Sequence, residues 1–463
     1  PFPFCVYLAQ VNYSFDNRYF LSGSVSMDGS SRFGTETVGG INFLGESWGL
    51  FPSLNAGWLI SSEEFMSGVD NSINLLKLRG GVSITGNDEL PPLAAYSYFL
   101  SKHYSDRANG LVLGNIGSKE IQWETTTKLN AGLDASFFNE RLSVSADVYE
   151  NRTTDLLVMR DLPEHIGSGS YWKNEGELKN RGYEISGNIR VLNLKDVSWE
   201  ISNSTGYYDN EIVSLPNGSF TTDIYGGGEV LTAEGLPAGV FYGYKTKGIF
   251  NTSAEAEQAD LRIVDEKGGS SYFRAGDVYF DDKDNNGIIN EKDKQVIGDP
   301  NPLFYGNFST SIGVKDFTLD AYFSYSYGND VYNYLRSELE SGSAFENQTK
   351  AMLNRWRGGG QETEIPIAVY GDPMENSRFS DKWIEDGSYV KLKTLKLSYD
   401  LSVNTKFLES VKIWASANNL WTLTDYLGRD PEVSSGSSVL YQGIDYGLTP
   451  ATRSVFLGVK MNL

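Results

Sequence analysis

The chain has 463 residues, a net charge of −21, 13% aromatic residues and one cysteine, Cys5. The negative balance excludes a phosphate-backbone binder, which needs a basic face, and a lone cysteine excludes an internal disulfide or a thiolate metal cluster. No apolar run approaches the roughly 20 residues of a spanning helix, and "PFPFCVYLAQ" lacks the basic start and small-residue cleavage site of a signal peptide; neither absence bears on a β-barrel, whose spans alternate instead.

In chain order, strands are expected near 4–15 and 18–28, meeting at Asp16-Asn17, and near 50–62 and 73–86. A long loop at 87–121 follows, then strands at 122–138 and 141–158 that flank only Asn139-Glu140. In "RLSVSADVY", Leu142, Val144, Ala146 and Val148 face one way while Ser143, Ser145 and Asp147 face the other. Such alternation describes a sheet with one apolar and one polar face. A loop at 159–179 leads to strands at 180–193 and 197–213, which turn around Leu194-Lys195. There Tyr183, Ile185 and Ile189 oppose Glu184, Ser186 and Asn188.

Residues 214–302 read as one long excursion. Its aromatic stretch "GVFYGYKTKGIF", 239–250, looks like a strand. Counting it as spanning would move the tight Lys315-Asp316 turn to the side of the long loops, so it is assigned to the excursion. Strands near 303–314 and 317–328, a loop at 329–387, strands near 388–401 and 411–423, a loop at 424–449 and a last strand near 450–463 complete the chain. Leu395, Leu397 and Leu401 again form an apolar row. Strands of ten or more residues, joined alternately by tight turns and long loops, describe a transmembrane antiparallel β-barrel, an all-β fold. The apolar rows are expected to face lipid. About thirteen strands are counted, an odd number, whereas closed bacterial barrels have an even one. An open edge in lipid would leave backbone groups unpaired at several kcal/mol each, so residues 1–463 are expected to be the C-terminal portion of a larger barrel.

The excursion holds "DDKDNNGIINEKD", Asp281 to Asp293. Counted from Asp282, side-chain oxygens fall at loop positions 1, 3, 5, 9 and 12: Asp282, Asp284, Asn286, Asn290 and Asp293. Ile288 would add its backbone carbonyl, and Gly287 stands where the chain must turn sharply. Calcium takes 6–8 oxygens, and this spacing wraps them around one point. A helical EF-hand carries Glu at the last position, where this chain has Asp293. The competing reading is a solvated acidic turn, because Asp, Asn and Gly favour turns in any case.

Other residues are weaker candidates. His103 and His165 read as loop residues, Glu338 and Glu340 as a chance acidic pair, and the glycine runs 226–228 and 358–360 as loops without a phosphate-binding context. The sequons at Asn12 and Asn151 fall in or beside strands. Trp383 and Trp421 are aromatics able to stack on sugars or to anchor at a membrane interface. No catalytic triad or zinc motif is present, so no enzyme is expected.

Blocks spanning nearly the whole chain carry a resemblance. "NYSFDNRYFLSGSVSMDGSSRFG", "WGLFPSLNAGWLISSEEFM", "LKLRGGVSITGN", "IQWETTTKLNAGLDASFFNERLSVSADVYENRTTDLL", "GDPNPLFYGNFSTSI", "DGSYVKLKTLKLSYDL" and "NNLWTLTDYLGRDPEV" resemble successive segments of the SusC/RagA-type TonB-linked outer-membrane transporters, in that family's order. The resemblance implies a bacterial outer-membrane location and a 22-strand barrel around an N-terminal plug. It also implies a SusD-like surface lipoprotein as lid and import of oligosaccharides, or of peptides in some members, driven through TonB. The plug, the TonB-contacting segment and the first strands have no counterpart here, the last strand ends in Leu463, and "PFPFC" matches nothing in the family. The acidic loop before "IGDPNP" is a feature such transporters often carry. The alternative class is a soluble calcium-dependent carbohydrate-binding β protein, which would stay in buffer where a barrel needs detergent.

Overall fold

The computed structural model describes residues 4–43, 46–68, 72–105, 108–162, 170–264, 267–405, 408–436 and 438–462, which fall into two compact units, 1–218 and 219–463. The first unit is a meander of eight long strands: β1 (Phe4–Phe15), β2 (Tyr19–Ser30), β3 (Glu46–Leu59), β4 (Ile73–Asn87), β5 (Glu124–Phe137), β6 (Leu142–Thr154), β7 (Glu177–Asn193) and β8 (Val197–Ser214). Each pairs antiparallel with its sequence neighbours.

The register sorts side chains by face, since a slip of one residue would invert every one of them. Tyr13, Leu21, Ala56, Gly80, Ala131, Val148, Tyr183 and Tyr207 form one transverse row across all eight strands, ending in a Tyr183–Tyr207 stack at 5.3 Å. The adjacent row, on the opposite face, is Ser14, Phe20, Gly57, Arg79, Gly132, Asp147, Glu184 and Gly206. Arg79 there donates to both oxygens of Asp134 at 2.7 and 2.9 Å and to Asp147 at 2.9 Å. On the apolar face the expected outward residues are open: Val148 is 57%, Ile185 46% and Ile189 45% exposed.

Hairpin ends are shaped by residues that tolerate positive φ. Asp16 and Asn17 take φ of 51° and 52°. The turn expected at Asn139-Glu140 is wider: Phe138, Asn139 and Glu140 all have positive φ, and Arg141 N–H closes on the Phe138 carbonyl. The Phe137–Leu142 pair is therefore the last rung, with four residues in the turn between them. A small core of Phe33, Leu90, Ala94, Ile121 and Trp123 packs under the long connections of this unit.

The second unit carries β9 (Phe304–Val314), β10 (Phe317–Tyr327), β11 (Tyr389–Thr405), β12 (Leu408–Thr424) and β13 (Ser454–Asn462), again paired in sequence order. All thirteen expected long strands are thus present, with ends displaced by a few residues. Ile312, Leu319, Leu397, Ala415 and Leu457 make one apolar row, and Ser311, Asp320, Lys396 and Ser416 make a polar one. A bulge between Leu392 and Thr394, opposite Asn419 at φ 53°, reverses the alternation in β11. It places Leu392 and Trp421 on the apolar face beside Phe323 and turns Lys391 to the polar one.

The remaining segments of this unit, 219–298, 329–388 and 425–453, build two further cores. One joins Val230, Phe241, Tyr332, Phe379, Trp383 and Ile444. Trp383, from sequence an aromatic able to stack on sugars or to anchor at a membrane interface, is 1% exposed and belongs to this core. Its indole N–H donates to the Arg378 carbonyl at 3.2 Å, so the polar edge that made it a surface candidate is satisfied internally.

Candidate metal centre

The second core of this unit supports the acidic loop. Short strands Thr246–Ile249 and Val278–Phe280 pair, and α1 (Ser253–Ala259) is started by a Thr252–Glu255 capping box. Phe250, Phe273, Phe280 and Ile289 pack together there. Ile289, inside the acidic loop, is 3% exposed. Its N–H donates to the Arg262 carbonyl at 2.9 Å, and Arg262 N–H returns to the Gly287 carbonyl at 3.1 Å. One apolar side chain and two backbone bonds therefore tie the middle of a polar loop to a core. No EF-hand helices flank it: a strand ends at Phe280, one 3-10 turn covers Glu291–Asp293, and a strand resumes at Gln295.

The loop brings Asp282, Asp284 and Asp293 together, with carboxylate oxygens within 4.8 Å of one another. Asp282 accepts the N–H of Asn286 at 3.1 Å and of Gly287 at 2.7 Å. Gly287 has φ 75°, and a Cβ there would meet only the Asp260 carbonyl oxygen at an ordinary 3.5 Å, so conformation and not crowding calls for glycine. Asp293 is fully buried and accepts N–H groups of Lys283 at 3.0 Å and Asn290 at 2.8 Å. Asn286 reaches Asp284 through its amide nitrogen at 2.8 Å. Asn290 and Ile288 are paired with each other, the Asn290 amide donating to the Ile288 carbonyl at 3.0 Å, while the Asn290 oxygen caps Lys292 N–H at 2.9 Å. Three of the six expected groups thus converge, the carboxylates of Asp282, Asp284 and Asp293, and the other three lie beside them engaged in the loop's own bonds, the Asn286 oxygen accepting Ile288 N–H at 2.7 Å.

The electrostatics fit a cation. Among the described residues none of the three carboxylates has an ion pair; the nearby lysines serve Asp281, Glu229 and Glu291 instead. The Lys247 hydrogen bond holds Asp281 below the usual carboxylate range. Two like charges at such a separation repel by about 1 kcal/mol in water and by more near a protein surface. A hard divalent ion would relieve this using oxygens alone, and Asp282, Asp284 and Asp293 with Asn286 would hold it.

The remaining sequence candidates are dispersed. His103 is exposed on the strand Tyr98–Ser105, and His165 lies outside the described residues. Glu340 is buried against Arg336 and Thr349, a structural role, and Glu338 is exposed. Gly226 and Gly227 form a turn with positive φ, and Gly358 to Gly360 stand in another. Trp421 is 48% exposed on the apolar face of β12, the position of an interface anchor. Sequence reasoning missed Lys391, 2% exposed, which donates to Asp430 at 2.8 Å and to Glu432 at 2.6 Å, with Lys393 on Glu432 at 2.9 Å. "VKLK" and "DPE" show the charges, but nothing local pairs segments about forty residues apart.

A model of the family described as TonB dependent receptor-like, beta-barrel, matches residues 6–333. The chain is 32% identical over 469 residues to TonB-dependent receptor P3 of Formosa agariphila, covering 98% of this chain and 45% of that protein. It is 27% identical over 486 residues to TonB-dependent receptor SusC of Bacteroides thetaiotaomicron, covering 98% and 43%. Among solved structures, that of the RagAB peptide importer in the closed-closed state is similar in fold, with a TM-score of 0.80 and 24% identity over 99% of this chain and 47% of that one. The chain therefore spans a little under half the length of the curated relatives it matches.

Proposed function

The chain belongs to the family of TonB-dependent receptor-like β-barrels, proteins of the outer membrane, and from that membership we propose that it is the barrel portion of a SusC/RagA-type importer. The observation that carries this is the sorted sheet. In each unit apolar rows lie on one face of the sheet and largely polar rows on the other, and the family match, residues 6–333, reaches from β1 to β10. Such a wall meets lipid on one side and lines an aqueous passage on the other. The outer-membrane family sets aside the soluble carbohydrate-binding alternative.

The proposed cargo is an oligosaccharide or a peptide, one similar structure being titled a peptide importer. A SusD-like lipoprotein would act as lid and TonB would supply the energy. The loop between Asp282 and Asp293 is proposed to hold one calcium ion on the outer side, opposite the tight Lys315-Asp316 turn. Deleting the gene and following uptake of labelled oligosaccharide and peptide pools, with and without TonB, tests the reading. Loss of uptake of one pool, matched by loss of TonB, supports it; unchanged uptake of both refutes it.

A further inference from the structure

In the second unit, the connections from β10 to β11 and from β12 to β13 leave the sheet at the end opposite the Lys315-Asp316 turn and enclose a cavity of about 540 Å³. The polar side chains at its base are already partnered. The Asn333 oxygen accepts Arg336 N–H at 3.0 Å, and its amide donates to Glu385 at 3.2 Å. The Arg336 guanidinium is held by Glu340 at 3.0 Å and Glu385 at 2.8 Å, and Thr349 donates to the other Glu340 oxygen at 2.7 Å. Asp445 accepts the Tyr426 hydroxyl at 2.9 Å and the N–H groups of Gly447 and Leu448 at 2.9 and 3.1 Å.

What the cavity offers a ligand is therefore mostly apolar. Leu427 is 71% exposed, and Leu335 and Tyr446 are each 38% exposed. The Tyr446 ring is held in place by a stack on Tyr225 at 4.6 Å and 18°. One charge stands free on the rim: Arg429 is exposed and makes no hydrogen bond or ion pair among the described residues. A neutral sugar chain loses water from many hydroxyls on entering such a site and finds few free groups to replace it. An acidic sugar satisfies the arginine but not the walls. A peptide with an apolar side chain and a free carboxylate satisfies both, and guanidinium–carboxylate pairing adds direction.

We propose that this cavity is a peptide subsite, with an apolar side chain against Leu427, Leu335 and Tyr446 and a carboxylate on Arg429. The proposal rests on the import reading and selects the peptide from its two substrate classes.

The test uses the full-length protein purified from outer membranes in detergent. Calorimetric titration compares acetyl-Gly-Ser-Gly-Leu as free acid, the same peptide as its C-terminal amide, a neutral glucose tetrasaccharide and a glucuronate tetrasaccharide. The free acid is expected to bind about tenfold more tightly than the amide. R429Q should abolish that difference, and L427N should weaken both peptides. Equal binding of acid and amide, a preference that survives R429Q, tighter binding of either tetrasaccharide, or no binding of any probe overturns the subsite. So does hydrogen-exchange protection of 427–429 by a copurifying protein with no effect of peptide. Uptake in cells separates the two readings. Peptide binding that follows the pattern above, without any TonB-dependent uptake, removes the import reading and leaves the subsite. Peptide uptake undiminished in R429Q and L427N removes the subsite and leaves import.

Discussion

The Oδ1 of Asp293 accepts the backbone N–H of Lys283 at 3.0 Å, so the last acidic residue of the loop clasps the backbone just after the first, Asp282. Its other oxygen accepts Asn290 N–H at 2.8 Å, and the carboxylate is fully buried. Asp293 therefore closes the loop by holding its backbone, whereas Asp284, exposed at the loop's edge, accepts only the Asn286 side-chain amide at 2.8 Å and holds no backbone group. The two positions separate metal binding from folding.

Asp293→Ala orphans two part-buried N–H groups and is expected to destabilise the loop by about 1 kcal/mol, with or without metal. Asp284→Ala should leave the metal-free loop unchanged and remove its response to calcium. Hydrogen exchange over 280–295, read with and without calcium, distinguishes them; wild-type protection indifferent to calcium would favour the plain acidic turn.

Lys391 and Asp430 form a buried ion pair at 2.8 Å that joins β11 to the 425–453 connection. Asp430→Ala strips the lysine of one of two carboxylates and should cost about 3 kcal/mol, while the K391M/D430L double substitution should recover much of it. Burial raises the affinity of Asp430 and Glu432 for protons, but the Lys391 hydrogen bonds outweigh it and hold both below the usual carboxylate range. Groups with depressed folded pKa values contribute stability above their unfolded values. That contribution is lost as pH falls below about 4 through the folded ones. Proteolysis of the 425–453 connection should rise over that acid range in wild type and much less in the double variant.

Lys382 carries a buried Nζ with no hydrogen-bond partner among the described residues, 4.6 Å from the centre of the Trp383 ring. Burial, reinforced by Arg336, lowers its pKa from 10.5 to about 7. Between those values the unfolded chain binds the proton and the folded chain does not, so stability of this region should rise with pH from about 7 to about 10.5. Lys382→Met should flatten that slope and stabilise the region at pH 7. Urea unfolding followed by tryptophan fluorescence at pH 7 and 9 checks both; equal slopes in the two proteins would place the lysine in water.

Leu397 and Lys396 are neighbours on opposite faces of β11. Leu397→Arg puts a charge toward lipid and should cost roughly 2–4 kcal/mol near the bilayer midplane. Lys396→Leu, on the polar face, should change stability far less. Urea titration of the full-length protein folded into vesicles provides the comparison, and similar costs at both positions would contradict the assignment of faces.

The sequence by itself determined the long strands, their alternating faces, the places where hairpins turn and the acidic spacing from Asp282 to Asp293. These depend on residues within a few positions of one another: a period of two is a property of the extended backbone, and turns favour Asn, Asp or Gly where φ is positive. Tertiary structure decided the rest. It buried Trp383, for which the sequence offered a stacking or a membrane-interface role, because a core assembles there from segments as distant as Val230 and Ile444. It turned Lys391 away from the apolar face through the Leu392–Thr394 irregularity, which strict alternation does not foresee, and paired it with Asp430. It also left Arg429 without a partner among the described residues while pairing Arg336, on the short helix Tyr334–Glu340, with the distant Glu385. Which charge is neutralised and which stays available depends on how distant loops pack, and no local spacing records that.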